Sequence, residues 1–173
     1  MTALTDDDFA LLGLPKRFQV DLSTLDERWK HLQRQAHPDR HAAHGSAAQR
    51  IAMQWSVRIN EAHQRLRDPV QRAAYLCELQ GSPIDAERNT AMPPDFLMQQ
   101  MQWREALDDA QTEDQTQTLL DEVLSQRRQA IEQLSQLLDT HNDSVAASAV
   151  VRALMFIDKF AADVRDRLDR MAD

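Results

Sequence analysis

The 173-residue chain holds one cysteine and three glycines, and each shortage excludes a class of protein. Cys77 alone cannot make an internal disulfide, a thiolate zinc site or a cysteine-ligated iron–sulfur cluster within one chain. Gly13, Gly45 and Gly81 are too few for the turns of a β-sandwich or barrel, and they form no phosphate-cradling loop. Val and Ile together number 13, so strand formers are scarce as well. No stretch approaches the roughly 18 uncharged apolar residues of a membrane span; the longest candidate lies between Asp143 and Arg152. The first eight residues, Met1 to Asp8, are acidic and lack the apolar run of a secretory signal. A soluble, cytoplasmic protein is expected.

What the chain does have is helical periodicity. Thr5-Asp6-Asp7-Asp8 fits a capping box before a short helix with Phe9, Leu11 and Leu12, ended by Gly13 and Pro15. Ser23-Thr24-Leu25-Asp26 reads as a second capping box. Leu22, Leu25, Trp29, Leu32 and Ala36 follow it in steps of three and four, which is one stripe of a helix. Pro38 stops that helix, because it biases His37 away from helical geometry. Residues 38–46 then form a polar loop. Ile51, Trp55, Ile59, Ala62 and Leu66 mark a third helix, and Asp68-Pro69 caps and opens a fourth that ends at Gly81.

From Ser82 to Pro94 the pattern breaks between prolines, and this stretch is read as a linker separating residues 1–81 from 95–173. Three long amphipathic patterns follow: about 95–111, about 113–140 and a last one that Asp143 could cap. Short connections between them predict an antiparallel three-helix bundle. The expected fold is all-α, with four shorter helices in front and the bundle behind.

Charge divides along the same line. Residues 1–80 carry 11 Lys+Arg against 10 Asp+Glu, a net of +1; residues 81–173 carry 9 against 18, a net of −9, which makes the −8 of the chain. Two surfaces with different partners are one reading, ordinary solvated helix faces the other. The acidic back half would repel phosphates, so nucleic acid is not an expected partner.

The sharpest local signal is His37-Pro38-Asp39, in a loop after a helix whose outer face carries Arg28, Lys30, His31 and Arg34. A rigid turn there presents one carboxylate beside a positive helix. The acid can meet a partner's arginine while the helix lies on a negative surface. With Phe9-x-x-Leu12-Gly13-Leu14 before it and Leu66-Arg67-Asp68-Pro69-x-x-Arg72-Ala73-x-Tyr75 after it, residues from about 6 to 80 resemble the J-domain family. That resemblance implies binding to a DnaK-class chaperone and stimulation of its ATPase. His37, Pro38 and Asp39 would be essential, and Arg28, Lys30, Arg34 and Arg40 would lie on the docking surface. Arg40 stands where many J-domains have lysine, which keeps the charge and changes the hydrogen-bond geometry.

The first bundle helix carries more apolar surface than a core needs. Phe96, Trp103, Leu107 and Ala110 make one stripe suited to the interior. Leu97, Met101, Glu105 and Asp109, with Met98 alongside, make a second row that fades from apolar to acidic. Unbranched methionine suits an adaptable contact face. Phe96-Leu97-Met98-x-Gln100, Arg104-Glu105-x-Leu107-Asp108 and Phe156-Ile157-Asp158-Lys159 resemble the HscB family, J-protein co-chaperones of iron–sulfur cluster biogenesis. The resemblance implies that the back half binds the cluster scaffold IscU and delivers it to the specialised chaperone HscA, with neither ATP nor cluster held by this chain. Scaffold-binding positions carry over to Leu97, Met98, Met101, Gln102, Glu105, Asp109 and Phe156. Gln102 replaces a typical acid, and Asp109 is shorter than the usual glutamate. A J-protein for a different client and a passive helical interaction module are the alternatives.

Other conspicuous residues have plainer readings. Trp29, Trp55 and Trp103 are expected in the core, and Cys77 is expected as a buried thiol. The plainer alternative for Leu97, Met98 and Met101 is packing against the linker or the front domain, and for Phe156 it is simple core. His37, His41 and His44 lack the carboxylate or cysteine company of a metal site. No Ser/His/Asp motif occurs, so neither an enzyme nor a bound cofactor is expected.

Overall fold

The computed structural model describes residues 2–173, and every regular element among them is a helix. The chain folds as two compact units, one ending at Tyr75 and the other beginning at Leu76. No helix among the described residues is long and apolar enough to cross a membrane.

The front unit starts with α1 (Asp8–Leu11), α2 (Leu22–Ala36) and α3 (Ser46–Arg67). α2 and α3 form an antiparallel hairpin: Asp26 meets His63, Trp29 meets Asn60 and Gln33 meets Ser56, each step forward on one helix matching a step back on the other. Phe9, Leu12, Phe18, Leu25, Ile59, Ala62 and Leu66 are buried. Burying each of the phenylalanine, leucine and isoleucine side chains is worth about 1.5–3 kcal/mol, and it presses the polar faces outward. α4 (Pro69–Leu79) begins as expected: Asp68 Oδ1 accepts from the amides of Val70 and Gln71 at 2.8 and 3.0 Å.

Two predicted caps are corrected. α1 is capped by Asp7, not Thr5, with Asp7 Oδ1 accepting from Ala10 N–H at 2.9 Å. Asp8 cannot reach back as a capping-box acid, because its carboxylate is buried against Arg58 and Arg65. α2 starts two residues early, capped by Asp21, whose carboxylate accepts from Ser23 and Thr24. A charged acceptor at the positive end of the helix outcompetes the Ser23 hydroxyl. Asp26 is drawn across to His63 and Arg67 instead. The three tryptophans also divide. Trp103 is buried, but Trp29 and Trp55 are only half-buried, since the small α2–α3 hairpin has one interior face and both rings sit at its edges.

The back unit holds α5 (Pro94–Asp109), α6 (Glu113–Ser135) and α7 (Ser144–Ala172). α6 runs antiparallel to α7, with Arg127 on Asp158 at 2.6 Å and Thr116 on Met171 at 3.4 Å. α5 runs parallel to α7: Phe96 meets Phe156 and Trp103 meets Phe160. Leu119, Val123, Leu134, Val150, Leu154, Ile157 and Val164 fill the middle. The α6 pattern does not run unbroken to Thr140. Its last turn, 136–140, widens to a π-helix closed by His141 N–H on Gln136 O at 3.0 Å. Asp143 caps α7 as expected, its Oδ1 accepting from Ala146 at 3.0 Å.

The stretch before α5 is irregular, with a turn after Asp85, and anchored. Arg152 of α7 is buried and its guanidinium donates to the carbonyls of Ile84, Ala91 and Pro83 at 2.9, 3.0 and 3.4 Å. Cys77 is buried, and desolvation pushes its thiol up to about 11.

Candidate functional site

The front candidate begins where α2 ends. Pro38 forces His37 out of helical geometry, to φ −60 and ψ 129. The segment expected as a polar loop is a 3-10 helix over Pro38–His44. Its amides need partners at once, and His37 supplies one: Asp39 N–H donates to His37 Nδ1 at 3.2 Å. That nitrogen then has no proton to share with the Asp39 carboxylate 3.7 Å away. The carboxylate points into solvent, its side chain 91% exposed.

Around this tip the basic side chains do not form one cluster. Lys30 and Arg34 share a row of α2, and Arg34 Nε donates back to Lys30 O at 3.3 Å. Arg28, two residues before Lys30, falls roughly 160° away around the helix at 3.6 residues per turn. Its guanidinium lies over Gly13, where an added Cβ would come within 2.6 Å of it. The end of a flexible arginine can swing aside, so it is the φ of +66 at Gly13 that favours glycine in that turn. Arg40 turns back, and its Nη1 donates to Arg34 O at 3.0 Å. His41 and His44 have ring centroids 6.3 Å apart, and no three His, Cys, Asp or Glu among the described residues are grouped for a metal ion.

The back candidate is a face of α5. Leu97, Met98 and Met101 are 65, 66 and 65% exposed. Gln102, Glu105 and Asp109 are exposed as well. At about 100° per residue these six positions fall within one sector of roughly 140°. Phe156 borders the sector from α7. It is half-buried, edge-on to Phe96 at 5.7 Å and stacked on Phe160 at 6.0 Å. Phe160 is its i+4 neighbour on the same helix, but Phe96 could not have been paired with it from the sequence, since that contact depends on how α5 and α7 align. The same alignment places Arg104 over the Phe156 ring at 5.5 Å, a cation at the margin of an otherwise apolar and acidic face.

Comparison with known proteins decides the family. Co-chaperone protein HscB homolog of Burkholderia vietnamiensis is 49% identical over 99% of this chain and 99% of its own length. The chain belongs to the HscB co-chaperone family. The HscB homolog of Bordetella avium is 48% identical over 92% of this chain and 95% of its own. The family model described as the HSCB C-terminal oligomerisation domain matches residues 92–165, which hold every residue of the back candidate. Chaperone HscB from Vibrio cholerae superposes with a TM-score of 0.80 at 33% identity, covering 96% of this chain and 99% of that one. Human co-chaperone HscB shares the fold, with a TM-score of 0.87 at 23% identity over 96% of this chain and 84% of its own. The fold is therefore the all-α HscB arrangement, a front J-domain hairpin and a C-terminal helical bundle, in a co-chaperone that works with a chaperone partner.

Proposed function

We propose that this HscB-family protein couples an iron–sulfur scaffold protein to a DnaK-class chaperone. Residues 1–81 act as the J-domain and dock on an HscA-like chaperone, residues 95–173 bind an IscU-like scaffold, and 82–94 connect them. In this reading Asp39 meets a cation on the chaperone, while Lys30, Arg34 and Arg40 lie against acidic surface and Arg28 reaches it from the other side of α2. The observation that carries the reading is the Asp39 carboxylate, held at the end of a proline-stiffened turn and fully offered to solvent. A buried acid would need an internal partner, whereas an exposed one beside cations is available to an external arginine.

The α5 face supplies the second grip. Three apolar side chains in a row cost free energy in water and repay it only when covered. Leu97, Met98 and Met101 form the apolar anchor, Gln102, Glu105 and Asp109 the polar edge toward a basic partner, and Phe156 the fixed aromatic margin. Holding both proteins raises the local concentration of scaffold at the chaperone. The chaperone hydrolyses ATP; this chain acts in the cytoplasm and performs no chemistry of its own.

The test is an ATPase titration of the cognate chaperone with scaffold and this protein, singly and together. Stimulation by both should exceed the sum of the separate effects, because synergy needs both grips. Purely additive stimulation would refute the coupling, and stimulation unaffected by scaffold would assign the bundle to another client.

A further inference from the structure

The 3-10 helix that carries Asp39 has no buried residue. A cavity of about 430 Å³ is lined by Leu32 and Ala36 of α2, His41 of the 3-10 helix, and Ile51, Ala52 and Trp55 of α3 among others. The segment lies against α3, and polar contacts tie it to the end of α2. The last carbonyls of α2 have no amide partners within the helix. Two of them are satisfied from six residues downstream: Arg34 O by Arg40 Nη1 at 3.0 Å and Gln35 O by His41 Nε2 at 3.1 Å. A carbonyl can only accept, so His41 donates through Nε2–H.

We infer that His41 is a positioning residue for the Asp39 tip: with Arg40 it clamps the 3-10 helix to the end of α2 across the cavity and so aims Asp39 relative to Lys30 and Arg34. The inference rests on the proposed docking of Asp39 with the chaperone. Arg40 contributes to the same clamp, but its charge is also part of the proposed docking surface, so His41 separates aiming from binding. His41 both lines the cavity and makes the hydrogen bond to Gln35 O. Loss of the ring frees Gln35 O and removes the brace at one stroke.

The experiment compares wild type, His41→Ala, His41→Gln and Asp39→Asn in stimulation of the chaperone ATPase. Maximal stimulation and half-saturating concentration are separated, and thermal unfolding is followed in parallel. Glutamine places an amide N–H near the position of Nε2. A misaimed reactive group loses effect while its binding surface is retained, so His41→Ala should lower maximal stimulation roughly tenfold with the half-saturating concentration within about twofold of wild type. His41→Gln should recover most of that loss, and both variants should melt close to wild type, since the segment contributes no buried side chain. If stimulation requires Asp39 while His41→Ala matches wild type, the clamp has no aiming role. A loss in His41→Ala that glutamine does not recover overturns the hydrogen bond as its cause. Stimulation that survives Asp39→Asn overturns the docking reading and this inference with it.

Discussion

Arg58 Nη1 lies 2.8 Å from Oδ1 of Asp8, whose side chain is fully buried. Arg65 Nε stands 3.3 Å from the other oxygen, and the Asp8 amide donates to the Tyr75 hydroxyl at 2.9 Å. Arg58 extends the network, donating to the carbonyls of Leu4 and Asp6 at 3.1 and 2.8 Å. One residue thus ties α1, α3 and the middle of α4 together. Asp8→Ala leaves two cations facing a hole, and breaking such a buried pair costs about 3–5 kcal/mol. Arg65 is partly exposed and can rehydrate, so we expect the low end of that range. Urea unfolding of the full chain measures it; a loss below about 1 kcal/mol would mean that the ion pair contributes no more than an exposed one.

The α2–α3 hairpin carries a pH dependence of definite sign. Hydrogen bonds from His63 and then Arg67 hold the Asp26 carboxyl below its ordinary 3.8. A depressed acid contributes stability that is fully present above its unfolded value and is lost as pH falls through the folded value. The front unit should therefore weaken progressively below about pH 4. Asp26→Asn should be less stable than wild type at pH 7 and converge with it in acid. Parallel unfolding curves at all pH values would remove Asp26 from the account.

Chaperone docking through exposed cations should be sensitive to salt. The half-saturating concentration for ATPase stimulation is expected to rise as ionic strength goes from about 0.01 to 0.15 M, where the screening length shrinks from about 30 to 8 Å. Lys30→Ala with Arg34→Ala should flatten that dependence, and Asp39→Asn should abolish stimulation while scaffold affinity stays unchanged. A salt response equal in the double variant and the wild type would place the contact elsewhere.

Replacing Leu97, Met98 and Met101 together by alanine should weaken scaffold binding by roughly 2 kcal/mol or more, as truncating clustered apolar anchors does. Because all three are about two-thirds exposed, the melting temperature should hardly move. Calorimetric titration and thermal unfolding of the same sample distinguish the outcomes. A large stability loss would show that these side chains serve the fold rather than a partner.

Arg152→Met keeps much of the side-chain volume and removes the donors to Ile84, Ala91 and Pro83. Those carbonyls lose their tether, so the segment should open locally before the bundle unfolds. Arg88 lies in that segment and offers a tryptic site. Limited proteolysis should cut there faster in the variant than in wild type; unchanged cleavage would locate the restraint in other contacts.

Some of this was readable from residue order. The α5 face was legible because two rows of one helix cannot both face one core, and Leu97, Met98 and Met101 are indeed exposed while Trp103 is buried. Pro38 and Asp68-Pro69 were legible because proline acts on its immediate neighbours. The caps at Thr5 and Ser23 were misread because a local pattern does not reveal that Asp8 and Asp26 are claimed from α3. The capping box that does form, Thr112 with Gln115, was not anticipated.

Sequence by itself determined the helical composition, the places where helices must stop, and the exposed character of the tripeptide turn, since periodicity, proline and polarity act over a few residues. Tertiary structure alone decided that the Arg28 guanidinium lies over Gly13, that Arg104 covers Phe156, and that His41 reaches Gln35 O. Each of those depends on the rotation of one helix against its neighbour or on the return path of the chain. Such distances are set by how the core packs, which no short stretch of residues encodes.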